Sequence, residues 1–246
     1  IISGPKWLYE NVLSSKKVIA VSGTHGKTSV TSMISHVLLQ NNLNPNYLIA
    51  GIPNTLQKSW NISPSELFII EADEYDTSFF DKKPKFFHYK PSVLLINNIE
   101  FDHADIYANI EMIEKNFFEL IESMPIQSKV LINAKKVRQS FIEHLNKSKL
   151  KTEIIQLNFD ANDIHYENKL LTLSVLEDIL PKAAILQALE SYGGVKRRYE
   201  TIFEDDFFKV IDDFAHHPTA IKETLSIAKK ENEEVELIVE LGSNSM

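Results

Sequence analysis

Residues 23–28 (GTHGKT) have the residue types of a loop that binds phosphate groups. Glycines let backbone N–H groups approach an anion, Lys27 is suited to the β- and γ-phosphates, and the Thr28 hydroxyl can reach Mg²⁺. The strict spacing of such loops asks for a glycine where this chain has Val21, and a glycine turn with a solvated lysine is the alternative. The predicted phosphate-binding residues are Gly23, Thr24, His25, Gly26, Lys27, Thr28 and Ser29.

Two further segments place polar residues directly after apolar runs. Residues 71–76 (EADEYD) carry four carboxylates after one run, and residues 97–103 (NNIEFDH) end in a histidine after the next. Because hard cations prefer oxygen ligands, Glu71 is a candidate for holding Mg²⁺ beside the phosphates, and His103 can bind a metal through a neutral ring nitrogen. The alternatives are a solvated acidic loop and a structural histidine.

The second half of the chain carries two more candidate segments. Arg198 ends a basic run and is suited to clamp a phosphoryl group, and a basic surface turn is the alternative. Asp213 can contact a ribose hydroxyl, and His216 and His217 can contact a phosphate, although these residues can also simply open a helix at Pro218. Adjacent histidines in a chain without cysteine do not have the spacing of a zinc site.

Short apolar runs that alternate with helical patterns predict the framework that holds these segments. The predicted strands are residues 16–22, 66–71, 91–97, 129–133 and 152–158, and the predicted helices cover 30–38, 110–124, 134–145, 182–192 and the residues from 218. Such alternation is typical of parallel βαβ units, so the sequence predicts an α/β fold with a mostly parallel sheet. Hairpins are predicted at 165–174 and 201–214, and a last strand at 235–241.

Composition limits the function classes. The 246-residue chain has a formal net charge of −8, which argues against a general nucleic-acid binder, and it has no cysteine, which excludes disulfides and thiol chemistry. No apolar run approaches the roughly 18 residues of a membrane span, and no signal-peptide pattern opens the chain, so a cytoplasmic protein is predicted. The first strand begins about 15 residues into the chain, so an upstream piece is expected to be missing.

Five segments in this order resemble the motifs of the Mur ligase family. They are GTHGKT at 23–28, EADE at 71–74, NIEFDH at 98–103, RRYE at 197–200 and DDFAHHP at 212–218. The segments 71–91, 194–198 (GVKRR) and 243–246 (SNSM) are most similar to members that act on a murein tripeptide. Members that add L-alanine have serine in place of Tyr75. The resemblance extends over nearly the whole chain.

The resemblance implies a bacterial ATP-dependent amide ligase with Mg²⁺ as cofactor. ATP would phosphorylate the lactyl carboxylate of UDP-N-acetylmuramate, and the L-alanine amine of L-Ala-γ-D-Glu-meso-diaminopimelate, a recycled murein tripeptide, would attack the acyl phosphate. The substrates are small molecules, neither nucleic acid nor a membrane is involved, and a monomer is expected. The residues that the resemblance implies for catalysis are Lys27, Glu71, His103 and Arg198.

The resemblance also implies a role for each motif. Residues 23–29 would bind the phosphates, Thr28 and Glu71 would hold one Mg²⁺, and His103 would hold a second near the acyl phosphate. A further set would complete the site: Arg198 at the γ-phosphate, Asp213 at the ribose, and His216 and His217 at phosphate or substrate, in roles that the sequence does not separate.

The family pattern implies a division into domains. Residues 1–195 would be the central P-loop-type ATPase domain and residues 196–246 the start of a Rossmann-like C-terminal domain, while the N-terminal domain that binds the UDP sugar would be essentially absent. Family members carry an adenine-contacting helix with an N-x-x-N-A segment between the predicted hairpin and the helix at 182, and residues 175–181 leave it out. Gly242 stands where the family often has arginine.

Three alternatives stay open. One is the L-alanine-adding ligase of the same family, which the acceptor would distinguish. Another is a generic P-loop phosphotransferase or ATPase, whose ATP turnover would not depend on an amine. The third is a nucleotide-binding fragment without ligase activity.

Overall fold

The computed structural model describes residues 1–161, 163–231 and 234–239, and it separates into two units, Ile1–Lys196 and Arg197–Met246. Each unit is described by itself. The strand predicted at 235–241 is wrong over 235–239, which pairs with no neighbour among the described residues and so lacks the hydrogen bonds a strand requires. Residues 240 and 241, with Gly242 and the segment 243–246, lie outside the described residues.

A seven-stranded sheet is the framework of the first unit, with its strands in the order β3-β2-β4-β1-β7-β8-β9. All neighbours are parallel except the β2–β3 pair. The strands are β1 (Lys17–Ser22), β2 (Asn46–Leu48), β3 (Trp60–Asn61), β4 (Leu67–Ala72), β7 (Val93–Ile96), β8 (Lys129–Asn133) and β9 (Glu153–Leu157), while β5 (Asp76–Ser78) and β6 (Asp81–Pro84) form a separate hairpin. The five strands predicted from apolar runs are confirmed.

Alternate residues of the strands supply two cores on the two faces of the sheet. In β1, Val18 and Ala20 belong to one core and Ile19 and Val21 to the other, as the two-residue repeat of a strand requires. The first core includes residues of α3 (Ile110–Ser123) and α4 (Gln139–Lys147), with side chains of α1 (Gly4–Asn11) packed against it; the second includes α2 (Lys27–Gln40), α5 (Ile164–Leu176) and α6 (Lys182–Glu190). The sheet is therefore covered on both sides, as parallel sheets are.

The order of the strands places β1 in the middle of the sheet, between β4 and β7. The chain passes from β1 through α2 to β2 and β4 on one side, and then to β7 on the other side of β1. The loops that follow β4, β1 and β7 therefore meet at a point where the strand order reverses, which is where open α/β sheets bind ligands.

The hairpin predicted at 165–174 is wrong, because α5 spans Ile164–Leu176. Asn168-Lys169 resembles a turn by residue type, but five buried positions recur at helical spacing, and Asp163 caps the helix by accepting a hydrogen bond from Tyr166 N at 2.8 Å. The positions at this spacing are Asn168, Leu171, Thr172, Val175 and Leu176, and Glu167 is buried as well. The chain thus has a helix in place of the predicted hairpin, directly before residues 177–181.

The second unit contains the predicted hairpin and the predicted helix at Pro218. The hairpin pairs β10 (Glu200–Glu204) with β11 (Lys209–Asp212), and α7 spans Pro218–Glu231. Neither these nor any other described helix is long and apolar enough to cross a bilayer.

Candidate active site at the carboxyl edge of the sheet

The loop after β1 depends on two glycines. Gly26 has a φ of 79° at the N-cap of α2, and a Cβ there would lie 2.6 Å from Asn97 Nδ2. Gly23 has a φ of 138°, and a Cβ there would lie 3.0 Å from the backbone N and O of Asn98. Both positions therefore require a residue without a side chain, for conformation and for space.

Side chains from the segment after β7 hold this loop in place. Asn98 accepts a hydrogen bond from His25 N at 3.0 Å and donates one to His25 O at 3.0 Å, and Asn97 donates to the same oxygen at 3.1 Å. Glu100 N donates to Thr24 Oγ1 at 2.9 Å, and Glu100 Oε1 lies 3.1 Å from His25 Nε2. The neighbouring strand end thus fixes the peptide groups on both sides of His25 and the Thr24 side chain.

The first turn of α2 faces the loop without a side-chain cap, since Gly26 occupies the N-cap position. The backbone N–H groups at such a helix start and the positive end of the helix dipole favour an anion. The arrangement therefore suits a phosphate group.

Lys27 is folded back over the loop. Its Nζ donates to Gly23 O at 2.6 Å and Thr24 O at 3.3 Å, and it lies 3.3 Å from Glu74 Oε2 and 3.4 Å from Asp73 Oδ1. Burial by itself would lower the pKa of Lys27, but the carboxylates of Glu74 and Asp73 outweigh burial and raise it. The ammonium group therefore stays charged and is available to replace these partners by phosphate oxygens.

Thr28 and Glu71 lie together at the ends of α2 and β4. Thr28 Oγ1 donates to Glu71 Oε2 at 3.1 Å, and Ala50 N donates to Glu71 Oε1 at 2.8 Å. Both side chains project from regular elements, so their positions are set by the sheet and the helix. A hydroxyl beside a carboxylate offers two of the oxygen ligands that Mg²⁺ prefers.

A second group, called here the acidic cluster, consists of Asp73, Glu74 and His103, whose ligand atoms lie within 4.8 Å of one another. Glu74 is only 1% exposed, and its Oε1 accepts no hydrogen bond from any described residue, with His103 Nε2 at 3.9 Å. An unsatisfied buried carboxylate oxygen is costly unless a cation or donor joins it. The residues present therefore fit a divalent cation.

The two carboxyl groups of the acidic cluster have opposite pKa shifts. Burial raises the pKa of Glu74, against the attraction of Lys27. Burial also opposes ionisation of Asp73, but the ion pairs with Lys27 and Lys85 outweigh it and lower its pKa. Lys85 Nζ lies 2.8 Å from Asp73 Oδ2, so two lysines hold Asp73 in its charged form.

His103 has the backbone conformation of a constrained site residue, with a φ of 56°. Its ring packs edge-on against Tyr75 with ring centroids 4.9 Å apart, and Tyr75 Oη donates to Asp105 Oδ2 at 2.6 Å. Tyr107 Oη donates to Glu74 O at 2.5 Å. Neighbouring tyrosines therefore support both His103 and Glu74.

The remaining predicted residues lie in the second unit. Both oxygens of Asp213 accept backbone hydrogen bonds, from Tyr199 N at 2.8 Å and Ala215 N at 2.6 Å. The Arg198 guanidinium lies over the Phe214 ring at 5.4 Å. His216 Nδ1 lies 3.2 Å from Phe214 O, and His217 Nδ1 accepts from Thr219 N at 3.4 Å near the start of α7. Asp213 and His217 thus organise the local backbone.

Sequence reasoning gave no role to several residues that the structure brings to the loop. Asn97 and Asn98 follow an apolar run and form a polar strand end in the sequence, whereas Asn168 has the residue type of a turn. Asn168 is buried in α5, its Oδ1 has no partner among the described residues, and that atom would lie 3.8 Å from a Cβ at Gly26. Lys85 is one of several lysines in its segment and had no distinguishing signal.

Residues 21–177 match the Mur ligase middle domain. The UDP-N-acetylmuramate–L-alanyl-γ-D-glutamyl-meso-2,6-diaminoheptandioate ligase of Escherichia coli K12 is 35% identical over 92% of this chain and 56% of its own length. The UDP-N-acetylmuramate–L-alanine ligase of Clostridium perfringens is 34% identical over 87% of this chain and 52% of its own. The chain therefore spans about half the length of the curated relatives it matches.

A solved structure has the same architecture. The crystal structure of UDP-N-acetylmuramate:L-alanyl-γ-D-glutamyl-meso-diaminopimelate ligase from Neisseria meningitides superposes with a TM-score of 0.71 at 33% identity. The match covers 80% of this chain and 72% of that chain. The predicted α/β fold with a mostly parallel sheet is confirmed.

Proposed function

The chain belongs to the Mur ligase family, and we propose on that premise that the protein containing it joins L-Ala-γ-D-Glu-meso-diaminopimelate to UDP-N-acetylmuramate at the expense of ATP. One observation carries the proposal. The glycine loop, the Thr28–Glu71 pair and the acidic cluster meet at the reversal point of the sheet. A phosphate site and two groups of metal-binding side chains at one edge are what phosphoryl transfer requires.

The reaction has two steps that balance without a redox partner. The lactyl carboxylate oxygen attacks the γ-phosphorus of ATP, the bond to the bridging oxygen breaks, and ADP and an acyl phosphate form. The L-alanine amine then attacks the acyl carbon, loses a proton, and expels phosphate as the amide forms. Positioning and charge neutralisation dominate such transfers.

Each residue of the first unit has a proposed part in these steps. The loop amides and Lys27 would bind the phosphates of ATP, with Lys27 leaving Glu74 and Asp73 to do so. Thr28 and Glu71 would hold one Mg²⁺, and His103 with Glu74 would hold a second. Mg²⁺, when bound, would neutralise the charge on the transferring phosphoryl group.

We extend the proposal to the domains. Residues 1–195 would act as the ATP-binding domain, and residues from 196 would begin a Rossmann-like ligase domain. In the latter, Arg198 would contact the γ-phosphate and Asp213 the ribose, while His216 and His217 would contact phosphate or substrate. The substrates are a nucleotide sugar and ATP, so the reaction belongs in the bacterial cytoplasm, and a monomer is expected.

A second candidate is the addition of L-alanine to the same carboxylate. The two relatives differ by only one percentage point in identity, which does not separate the acceptors. Tyr75 favours the tripeptide, because the resemblance gives L-alanine-adding members a serine there, and in this chain Tyr75 contacts His103.

The acceptor decides between these candidates. The intact protein is incubated with ATP, Mg²⁺, UDP-N-acetylmuramate and either the tripeptide or L-alanine, and phosphate release and product mass are followed. We expect tripeptide-dependent product that is lost in Lys27→Ala and retained in the exposed control Lys58→Ala. Product with L-alanine alone would identify the second candidate, and phosphate release without any acceptor dependence would leave an ATPase.

A further inference from the structure

Lys85 reaches the acidic cluster from outside the sheet. It follows the β5–β6 hairpin and begins a 3₁₀ turn, Lys85–His88. Its Nζ lies 2.8 Å from Asp73 Oδ2 and 5.6 Å from the centroid of the Tyr75 ring. A second ammonium group besides Lys27 is thus present at the proposed site of phosphoryl transfer.

The backbone of Lys85 is fixed on both sides of the residue. Lys85 N donates to Tyr75 O at 3.2 Å, and Phe86 N donates to Asp73 O at 3.3 Å. Phe86 is only 1% exposed and packs against Phe117 in the core, with ring centroids 5.1 Å apart. The Lys85 side chain itself is 33% exposed, so its head can move while its base stays in place.

Asp73 is shared between the two lysines. Its Oδ1 lies 3.4 Å from Lys27 Nζ, and its Oδ2 lies 2.8 Å from Lys85 Nζ. Two carboxyl groups, those of Asp73 and Glu74, are thus in balance with two ammonium groups, those of Lys27 and Lys85. A divalent cation added at Glu74 and His103 would upset this balance, because it repels both ammonium groups at short range.

We propose that Lys85 is a further catalytic residue: its ammonium group would leave Asp73 when a divalent cation binds, and would then bind an oxygen of the transferring phosphoryl group. The inference rests on the proposed function. Lysine suits the exchange because its charge is compact and its stem is flexible. The Asp73 carboxylate thus holds the Lys85 ammonium group near the site until metal and nucleotide bind.

The alternative is that Lys85 only clamps Asp73 as part of the fold. The two roles predict opposite effects on metal binding. A competitor for Asp73 weakens metal binding, so its removal tightens it; a clamp positions Asp73, so its removal loosens metal binding and lowers the melting temperature.

The test uses the intact protein and three variants. Lys85→Met removes the charge and keeps the stem, and Lys85→Arg keeps a charge. Lys82→Met is the matched control on the same hairpin, since Lys82 is 69% exposed and pairs with Asp76 at 3.2 Å. Mn²⁺ binding is measured by electron paramagnetic resonance with a non-hydrolysable ATP analogue, beside kcat, KM and melting temperature.

For Lys85→Met we expect Mn²⁺ affinity to rise about threefold or more and kcat to fall about 30- to 100-fold, with a small change in the KM for ATP. Lys85→Arg should recover part of kcat, and Lys82→Met should match the wild type. Unchanged kcat in Lys85→Met, or weaker Mn²⁺ binding together with a lower melting temperature, would overturn the proposal. If Lys85→Met does not fold, Lys85→Gln takes its place, and unchanged kcat or weaker Mn²⁺ binding in Lys85→Gln would overturn the proposal.

Failure of the proposed function would be visible separately. A wild-type protein that binds Mn²⁺ and nucleotide but forms no amide with either acceptor would overturn the ligase function. The Mn²⁺ affinities of wild type and Lys85→Met would still decide whether Lys85 competes for Asp73.

Discussion

The Thr28–Glu71 pair and the acidic cluster lie at the same edge of the sheet but are built differently. Thr28 and Glu71 project from a helix and a strand, and the Glu71 carboxylate accepts hydrogen bonds from Thr28 Oγ1 and Ala50 N. In the acidic cluster, Asp73 and Glu74 lie beyond the end of β4 and His103 has a left-handed backbone conformation. Lys27 and Lys85 form ion pairs with the carboxylates of the acidic cluster. In the pair, the Thr28 hydroxyl donates a hydrogen bond to the Glu71 carboxylate.

This difference means that the Thr28–Glu71 pair is better preorganised for cation binding than the acidic cluster. The pair can accept a cation with its side chains already in place, which lowers the cost of binding. The acidic cluster must first exchange its lysines for a cation. We therefore expect metal to bind at Thr28–Glu71 before it binds at the acidic cluster.

The largest effect should follow from Glu71→Gln. The amide keeps the size of the side chain and can accept from Ala50 N, but it loses the charge that holds a cation beside Thr28. We expect kcat to fall on the order of 10²- to 10³-fold, with the melting temperature nearly unchanged. Steady-state ligase kinetics and thermal denaturation measure this, and near-wild-type kcat would show that the pair is not a metal site.

Gly26→Ala should have the next largest effect, because it disturbs the loop that both groups share. The φ of 79° costs an L-residue about 1–2 kcal/mol, and the new Cβ would meet Asn97 Nδ2 at 2.6 Å. We expect nucleotide affinity to fall about tenfold or more, by isothermal titration calorimetry. Gly4→Ala is the matched control, since a Cβ there meets nothing within 4 Å, and equal losses in both variants would contradict the argument.

The pair was easier to predict from the sequence than the acidic cluster, and the reason is physical. Thr28 and Glu71 stand at fixed offsets in a loop motif and at the end of an apolar run, so local pattern locates them. Lys85 reaches Asp73 only because the β5–β6 hairpin folds back, and 12 residues separate the two. The local periodicity of the sequence does not predict that the hairpin brings Lys85 back to Asp73.

The fold shows the same limit. The strands of the central sheet and most helices follow from apolar runs, whereas α5 was missed because Asn168-Lys169 has the residue types of a turn. Asn168 is buried beside the loop, and this tertiary packing outweighs the turn preference of its residue type. The roles proposed for Arg198 and Asp213 remain predictions.

A moderate effect is expected from changes at Tyr75, which supports the acidic cluster through its contact with His103. Tyr75→Phe loses the hydrogen bond to Asp105 but keeps the ring beside His103, so kcat should fall less than about fivefold. Tyr75→Ala also loses the ring and should fall about tenfold. Equal kcat in the two variants would show that the edge contact with His103 has no role.

The smallest effect concerns a histidine remote from both groups. His36 is 1% exposed in α2, with its Nε2 3.0 Å from Ala188 O, and burial lowers its pKa below the ordinary 6.5. His36 therefore binds a proton at a higher pH in the unfolded chain than in the folded one. The contribution of neutral His36 to the free energy of unfolding is fully present above pH 6.5 and is lost as the pH falls below that value. Melting temperatures across that range should show this decrease in wild type and in the exposed control His165→Gln.

His36→Gln should lack this part of the pH dependence, whatever its effect on stability at neutral pH. A pH profile of His36→Gln that parallels the wild type would show that another group titrates.

The central place of β1 has a consequence for synthesis on the ribosome. β1 emerges before its two neighbours, β4 and β7, which follow at residues 67–72 and 93–96, and the side chains that fix the loop come later still. Until synthesis has passed about residue 103 of this sequence, the nascent chain therefore has the loop sequence without the loop structure. Cellular ATP would begin to stabilise the chain only after this residue has been synthesised. Nucleotide binding would therefore contribute to folding late, after most of the central strands have been made.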